Sequence, residues 1–243
     1  MKIWTKYILF TKYFLKSLTS LKAIKNNNII GFREELSKNS GIGLVEIKSI
    51  LDWSNVKLTL RNLPHNEGHV SIIELLILSA FASKLNEKQN FLEIGTFDGT
   101  TSYNCALNAN NSKIFTIDLP LDHCLEEKQK NEYLEYDKDL ILSNSRQANS
   151  LKELGNVIQL FEDSTKFDFS TINFSLVFID GAHDYLTVKS DTENVLKRIT
   201  KPGIVFWHDY DVTNDVGKYL IEISKEFDIK WIKNTRLCIL SIS

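Results

Sequence analysis

Five short apolar runs, separated by stretches long enough for a helix, limit what this chain can become. They are Phe91–Gly95, Lys113–Asp118, Val157–Asp163, Ser175–Asp180 and Gly203–Asp209. Near-continuous apolar runs of this length belong to strands buried on both faces, as in a parallel sheet covered by helices. Their alternation with helical stretches predicts βαβ units. Four of the runs end in Asp118, Asp163, Asp180 and Asp209, and the first carries Glu93 near its end. Open α/β sheets bind ligands at the C-terminal ends of their strands. A lone strand-end Asp is ordinarily a turn former or a helix cap, but that reading does not cover five acids at one sheet edge.

The C-terminus follows another rule. Ile229–Ile232 and Leu237–Leu240 are separated only by a polar turn around Asn234. There is no room for a crossover helix, so the pair is antiparallel. The expected fold is α/β: a Rossmann-like three-layer sandwich with a mostly parallel seven-stranded sheet, an antiparallel C-terminal hairpin at its edge, and an N-terminal helical extension. The extension covers 1–62 and the main domain 63–243. Within the extension, 34–62 predicts short helices and a turn, with a short extended piece at 56–60. Residues 66–85 predict a helix with an apolar face from Val70, Ile73, Leu76, Ile77, Ala80 and Phe81. The charge-rich interval 119–144 predicts a helix beside the sheet, serving as a solvated face or a substrate lid.

Charge excludes several classes. The chain carries 29 Lys and Arg against 31 Asp and Glu, a net charge of −2, so no nucleic-acid partner is expected. Cys105, Cys124 and Cys238 form no CxxC pair, which speaks against a zinc ribbon or a disulfide scaffold and for a reducing cytoplasm. No apolar run approaches the roughly 20 residues that span a bilayer. The first 33 residues differ from the rest: Lys2, Lys6, Lys12, Lys16, Lys22, Lys25 and Arg33 occur there with no acid. Apolar residues interleave them at helical spacing. Such an arm docks on the body or on a second subunit of a homo-oligomer, or lies peripherally on an anionic membrane. Lys6 and Lys12 break the apolar stretch, so a signal peptide fits poorly.

Glu93-Ile94-Gly95-Thr96-Phe97-Asp98-Gly99-Thr100-Thr101-Ser102 is a glycine-bearing strand-to-helix turn. Gly95 allows close backbone approach, and the helix opened by Gly99 offers unpaired N–H groups to an anionic group. Phe97 stands where the dinucleotide fingerprint has its second glycine, and no P-loop Lys follows. Asp118, one strand further on, suits both hydroxyls of a ribose. Asp163 and Ser164 suit an adenine amino group and its neighbouring ring nitrogen.

These segments, with Phe178-Ile179-Asp180-Gly181-Ala182-His183-Asp184-Tyr185 and Lys201-Pro202-Gly203-Ile204-Val205-Phe206-Trp207-His208-Asp209-Tyr210, resemble the successive motifs of class I S-adenosylmethionine-dependent methyltransferases. The similarity is greatest to macrocin-type sugar O-methyltransferases and cephalosporin-hydroxylase-like proteins, and it covers roughly 65–243. The resemblance implies S-adenosylmethionine as cofactor, held by Glu93, Gly95, Thr96, Phe97, Gly99, Ser102, Asp118, Asp163, Ser164 and Asp180. It implies His183 as general base and Asp180 as its catalytic neighbour. In metal-dependent relatives the acids matching Asp180 and Asp209 bind a divalent cation such as Mg²⁺ or Mn²⁺. The position before Asp209 is an acid there and His208 here, so a metal set of Asp180, His208 and Asp209 suits Mn²⁺ better than Mg²⁺. His65, Glu67 and Gly68 precede a helix that often lies over the cofactor in such enzymes.

The expected activity is O-methylation of a small-molecule or sugar hydroxyl. Two other readings stand beside it. An NAD-dependent oxidoreductase needs the glycine that Phe97 replaces. A non-catalytic methyltransferase-fold partner or membrane scaffold has no need of Asp118, Asp163, Asp180 and His183.

Overall fold

The computed structural model describes residues 40–64, 68–109, 111–124, 134–141 and 148–243. The basic stretch 1–33, His65, Glu67, and the charged residues Glu126, Glu127, Lys128, Lys130 and Glu132 lie outside them. The strands are β1 (Gly43–Val45), β2 (Phe91–Ile94), β3 (Ile114–Asp118), β4 (Val157–Phe161), β5 (Leu176–Ile179), β6 (Gly203–Trp207), β7 (Lys230–Ile232) and β8 (Cys238–Ile242). The helices are α1 (Ile47–Ile50), α2 (Ile72–Ala82), α3 (Thr100–Asn108), α4 (Glu135–Ile141), α5 (Tyr185–Arg198) and α6 (Asp215–Ile223).

One sheet runs β1-β7-β8-β6-β5-β2-β3-β4. All neighbours pair in parallel except β8, which is antiparallel to both β6 and β7. The seven expected strands are present, and the described residues hold an eighth. The additional strand, Gly43–Val45, pairs in parallel with Lys230–Ile232, so the C-terminal hairpin is not the outermost edge. An edge strand leaves a row of unpaired N–H and C=O groups, and β1 satisfies those of β7. The piece at 56–60 is not a strand. It runs along α3, where Asn108 Oδ1 accepts from the Thr59 N–H at 2.9 Å and Asn104 Oδ1 accepts from the Arg61 N–H at 2.8 Å.

The central strands alternate between two apolar clusters. Leu92, Ile94, Val177, Ile179, Val205 and Trp207 face one cluster, with Val188 and Val195 of α5 and Leu220 of α6. Phe91, Ile114, Leu176, Phe178 and Phe206 face the other, with Leu75, Leu78 and Phe81 of α2 and Cys105 of α3. Burial on both faces explains why these strands read as unbroken apolar runs. Trp207 is fully buried in the first cluster, and its indole N–H donates to Thr192 Oγ1 at 2.8 Å.

The helix starts follow from their caps. Ser71 and Glu74 form a capping box at α2, and Asp184 accepts from the N–H groups of Leu186 and Thr187 at α5. These side chains satisfy N–H groups that the first helical turn leaves without partners. Among the described residues no helix is long and apolar enough to cross a membrane.

Candidate active site

The strand order reverses beside β2, which leads to β3 and β4 on one side and meets β5 and β6 on the other. A reversal of this kind opens a crevice at the strand C-termini. Two cavities lie there. The smaller, about 90 Å³, is lined by Asp118, Asp163 and Ser164 among others. The larger, about 320 Å³, is lined by Glu93, Thr96, Thr101, His183, His208, Asp209 and Arg236 among others. Gly95, Phe97, Asp180 and Gly181 line both, so the two form one crevice.

The glycine turn shapes the wall between them. Gly95 has φ +96° and passes so close to β5 that a Cβ would lie 2.0 Å from the Asp180 carbonyl oxygen. Phe97 takes φ +49°, a left-handed conformation uncommon for a bulky residue. Its N–H donates to Asp118 Oδ2 at 3.0 Å, and the Leu119 N–H donates to Asp118 Oδ1 at 2.8 Å. The carboxylate expected to take a ribose is therefore fixed by two backbone donors. Asp163 Oδ1 accepts from the backbone N–H and the hydroxyl of Thr165, and Lys166 Nζ lies 3.2 Å from Oδ2. Burial would raise its pKa, but these partners hold it below the usual carboxylate value.

Two expected cofactor residues are not at the surface of the crevice. Gly99 turns its Cα toward Ala148 and Leu151, where a Cβ would meet atoms at 2.8 Å. Ser102 is fully buried and donates to Glu93 Oε2. The hydroxyl of Thr116 donates to the same oxygen at 3.1 Å. The Ser102 hydroxyl is thus turned to Glu93 and lines neither cavity.

Glu93 is 2% exposed. Burial, reinforced by the nearby Asp180 charge, pushes its pKa up from 4.5 to about 8. A protonated Glu93 cannot pair with an ammonium group, so binding of a cationic amino-acid moiety must release this proton. The expected result is a titration of S-adenosylhomocysteine whose affinity rises with pH up to about 8, with the rise abolished in Glu93→Gln. Stability without ligand should run the other way. The pKa is raised above its unfolded value, so this contribution falls as pH climbs from about 4.5 to about 8.

The outer end of the large cavity holds a cluster of acids and imidazoles. From α4, Asp137 accepts the His183 backbone N–H at Oδ2 (2.9 Å) and faces His183 Nδ1 with Oδ1 (2.5 Å). His183 Nε2 faces Asp209 Oδ2 at 2.5 Å. Burial would lower the His183 pKa, but the bonds to Asp137 and Asp209 outweigh it and raise it to about 10. His208 Nδ1 lies 3.0 Å from Asp180 Oδ1 and 3.2 Å from Asp209 Oδ1, and its Nε2 lies 3.3 Å from Glu74 Oε2. These carboxylates overcome burial and hold the ring well above the usual imidazole value. Burial raises the Asp180 pKa more than the His208 cation lowers it. Asp209 is held well below the usual carboxylate range because His183 and His208 outweigh its burial. Arg236 Nη2 contacts Asp209 Oδ1 at 2.5 Å.

Sequence reasoning missed four of these residues. Glu74 was hidden in its capping box and Asp137 in a charged stretch. Arg236 lies between the hairpin strands. His69 pairs through Nε2 with Asp98 Oδ2 at 2.8 Å on the cavity wall. The expected Asp184 is a helix cap, and Gly68, with φ +91°, lines the large cavity.

Residues 92–210 match the family model described as a methyltransferase domain. Two solved structures share the fold. Calicheamicin methyltransferase CalS11 is 14% identical, with 70% of this chain and 79% of that chain covered and a TM-score of 0.51. The SAH-bound methyltransferase PaMTH1 of Podospora anserina is 14% identical, with 75% and 83% covered and a TM-score of 0.51. No curated protein matches the chain. Residues 92–210 are thus similar to a methyltransferase domain, on the Rossmann-like sheet that the strand pattern predicted.

The residues of the crevice fit S-adenosylmethionine. Asp118 is preset for a diol, and Glu93 and Asp180 lie along the path to the acid–imidazole cluster. A divalent cation fits less well. Donor atoms of Asp180, His183 and Asp209 lie within 4.8 Å of one another. His208, expected as a ligand, has both nitrogens facing carboxylates. His183 is engaged in the same way. All four ring nitrogens face carboxylates, so either ring must give up a partner before it can ligate a cation. The general-base role expected of His183 requires one of these two bonds to open.

Proposed function

We propose that the chain is an S-adenosylmethionine-dependent O-methyltransferase whose acceptor is a hydroxylated small molecule, with a sugar or glycan-linked residue as the leading class. The observation that carries this reading is the single crevice running from Asp118 past Gly95 and Asp180 to the cluster at Asp209. S-adenosylmethionine supplies a methyl group already activated on a sulfonium, which passes to the acceptor oxygen as the S–C bond breaks.

The chain's own residues align the two partners, and such alignment can supply about 7–11 kcal/mol of the barrier. Asp118 takes the ribose, Asp163 and Ser164 take the adenine, and Glu93 takes the amino-acid end. An alcohol becomes strongly acidic as it is methylated, so a carboxylate suffices to accept its proton. Asp180 faces the reacting end of the crevice, and its buried carboxyl is more basic than an exposed one. It takes the proton in this reading, while His183 orients Asp209 and the acceptor. The acceptor's further hydroxyls meet the polar wall of Asp98, Tyr136 and Asn214. The catalytic unit spans 63–243, with 1–62 as an extension that lends β1 to the sheet. The arm at 1–33 is its contact with a second subunit or an anionic membrane in the cytoplasm.

Thermal shift and calorimetry with S-adenosylhomocysteine test the reading, with NADH as control. Saturation near 100 times Kd should add about 2.7 kcal/mol, or roughly 5–10 °C. Asp118→Ala should weaken binding about 10–150-fold, the worth of about 1.5–3 kcal/mol in bonds to a charged group. A shift with NADH alone would move the protein to the oxidoreductases. No shift with either would favour a non-catalytic scaffold.

A further inference from the structure

We propose that Arg236 stands where metal-dependent relatives place a divalent cation, so that methyl transfer here needs no metal. This rests on the O-methyltransferase reading and deepens it. The two acids expected to hold a cation, Asp180 and Asp209, are already paired within the chain. Asp180 Oδ1 faces His208 Nδ1 at 3.0 Å. Asp209 Oδ2 faces His183 Nε2 at 2.5 Å, and its Oδ1 faces Arg236 Nη2 at 2.5 Å. A guanidinium cannot deprotonate in a protein, so this positive charge stays beside Asp209 and repels a second cation.

The Arg236 side chain is half exposed, but the backbone on both sides of the contact is held. The Arg236 backbone N–H donates to Glu74 Oε1 at 2.5 Å, and its carbonyl accepts from the Tyr210 N–H at 3.0 Å. Asp209 holds a left-handed conformation, φ +56°. Asn214 Nδ2 donates to the Asp209 carbonyl at 2.7 Å. Such strain persists only where the surroundings over-determine it. The result is a carboxylate–guanidinium ion pair on the cavity wall. There the guanidinium fork offers donors to an acceptor oxygen, as a cation offers positive charge. The residue before Asp209 agrees with it, because His208 stands where metal-dependent relatives carry an acid, which leaves one carboxylate fewer for a cation.

The test is direct Mn²⁺ binding to the full chain, followed by electron paramagnetic resonance with and without S-adenosylhomocysteine. The wild type should retain no Mn²⁺ up to about 1 mM. One Mn²⁺ per chain with a Kd below about 100 µM overturns the proposal, and this arm needs no variant. Arg236→Ala combined with His208→Asp should gain one Mn²⁺ site. If that protein still binds S-adenosylhomocysteine but no Mn²⁺, Arg236 does not occupy the cation's place. If it no longer binds S-adenosylhomocysteine, Arg236→Ala alone serves for the same comparison. Calorimetry with S-adenosylhomocysteine in EDTA separates the two readings: failure to bind counts against the methyltransferase, and Mn²⁺ retention only against the role of Arg236.

Discussion

Gly95→Ala is expected to abolish binding of S-adenosylhomocysteine and to lower the melting temperature by about 6–20 °C, from a loss of about 3–5 kcal/mol. Two effects add. The residue sits at φ +96°, where an L side chain is strained. Its Cβ would also lie 2.0 Å from the Asp180 oxygen, 2.5 Å from the Asp180 carbon and 2.8 Å from the Gly181 nitrogen. All three are backbone atoms and cannot swing aside. The Asp180 N–H donates to the Ile94 carbonyl at 2.8 Å, so β2 and β5 are locked together at that point. Relief requires the two strand ends to part, which moves Asp180 and Gly181, shared by both halves of the crevice. Gly155→Ala is the control, because a Cβ there meets nothing within 4 Å. Thermal melts and calorimetry on both variants decide the matter. Unchanged binding in Gly95→Ala would show that the crevice is not where the cofactor sits.

Glu74→Ala is expected to cost about 3–5 kcal/mol, the penalty for breaking a buried ion pair from one side. Glu74 is 2% exposed. It accepts from the Ser71 N–H at 2.6 Å and the Arg236 N–H at 2.5 Å, and it faces His208 Nε2 at 3.3 Å. One carboxylate thus closes a helix cap, fixes the hairpin turn that carries Arg236, and faces a buried imidazole. Removing it leaves three donors without a partner. Burial would raise its pKa, but His208 and the backbone donors bring it down from 4.5 to about 2. The depressed value means that its contribution is present above about pH 4.5 and lost as pH falls toward 2. The variant should therefore lose stability at pH 7 and converge on the wild type in acid. Chemical unfolding at pH 7 and at pH 3 checks both halves. Equal stability at pH 7 would show that His208 is neutral in the folded chain.

Much of this was legible in the sequence. Strand positions follow from local apolar runs, and their two-sided burial follows from the lack of alternation. Antiparallel pairing of Lys230–Ile232 with Cys238–Ile242 follows from a connection too short for a crossover. Strand ends carry the acids because that is where an α/β sheet meets its ligand. Phe97 marked the glycine turn as different from a dinucleotide turn, and the structure gives it a left-handed backbone.

The partners of those acids were not legible. Glu74 and His208 are 134 residues apart in the chain, Glu74 and Arg236 are 162 apart, and Asp137 and His183 are 46 apart. Nothing in the spacing of such residues says that they meet. Local sequence also reads each one innocently, as a helix cap, a solvated face or a turn. The strand Gly43–Val45 escaped notice for the same reason, since three residues have no periodicity and become a strand only by pairing with β7. The sequence by itself determined the order of elements and the edge at which the acids gather, because backbone propensity and burial act over a few residues. Only the tertiary structure decided which charge faces which. That choice set His183 and His208 between carboxylates and Arg236 beside Asp209, because such pairings are made by neighbours across the fold.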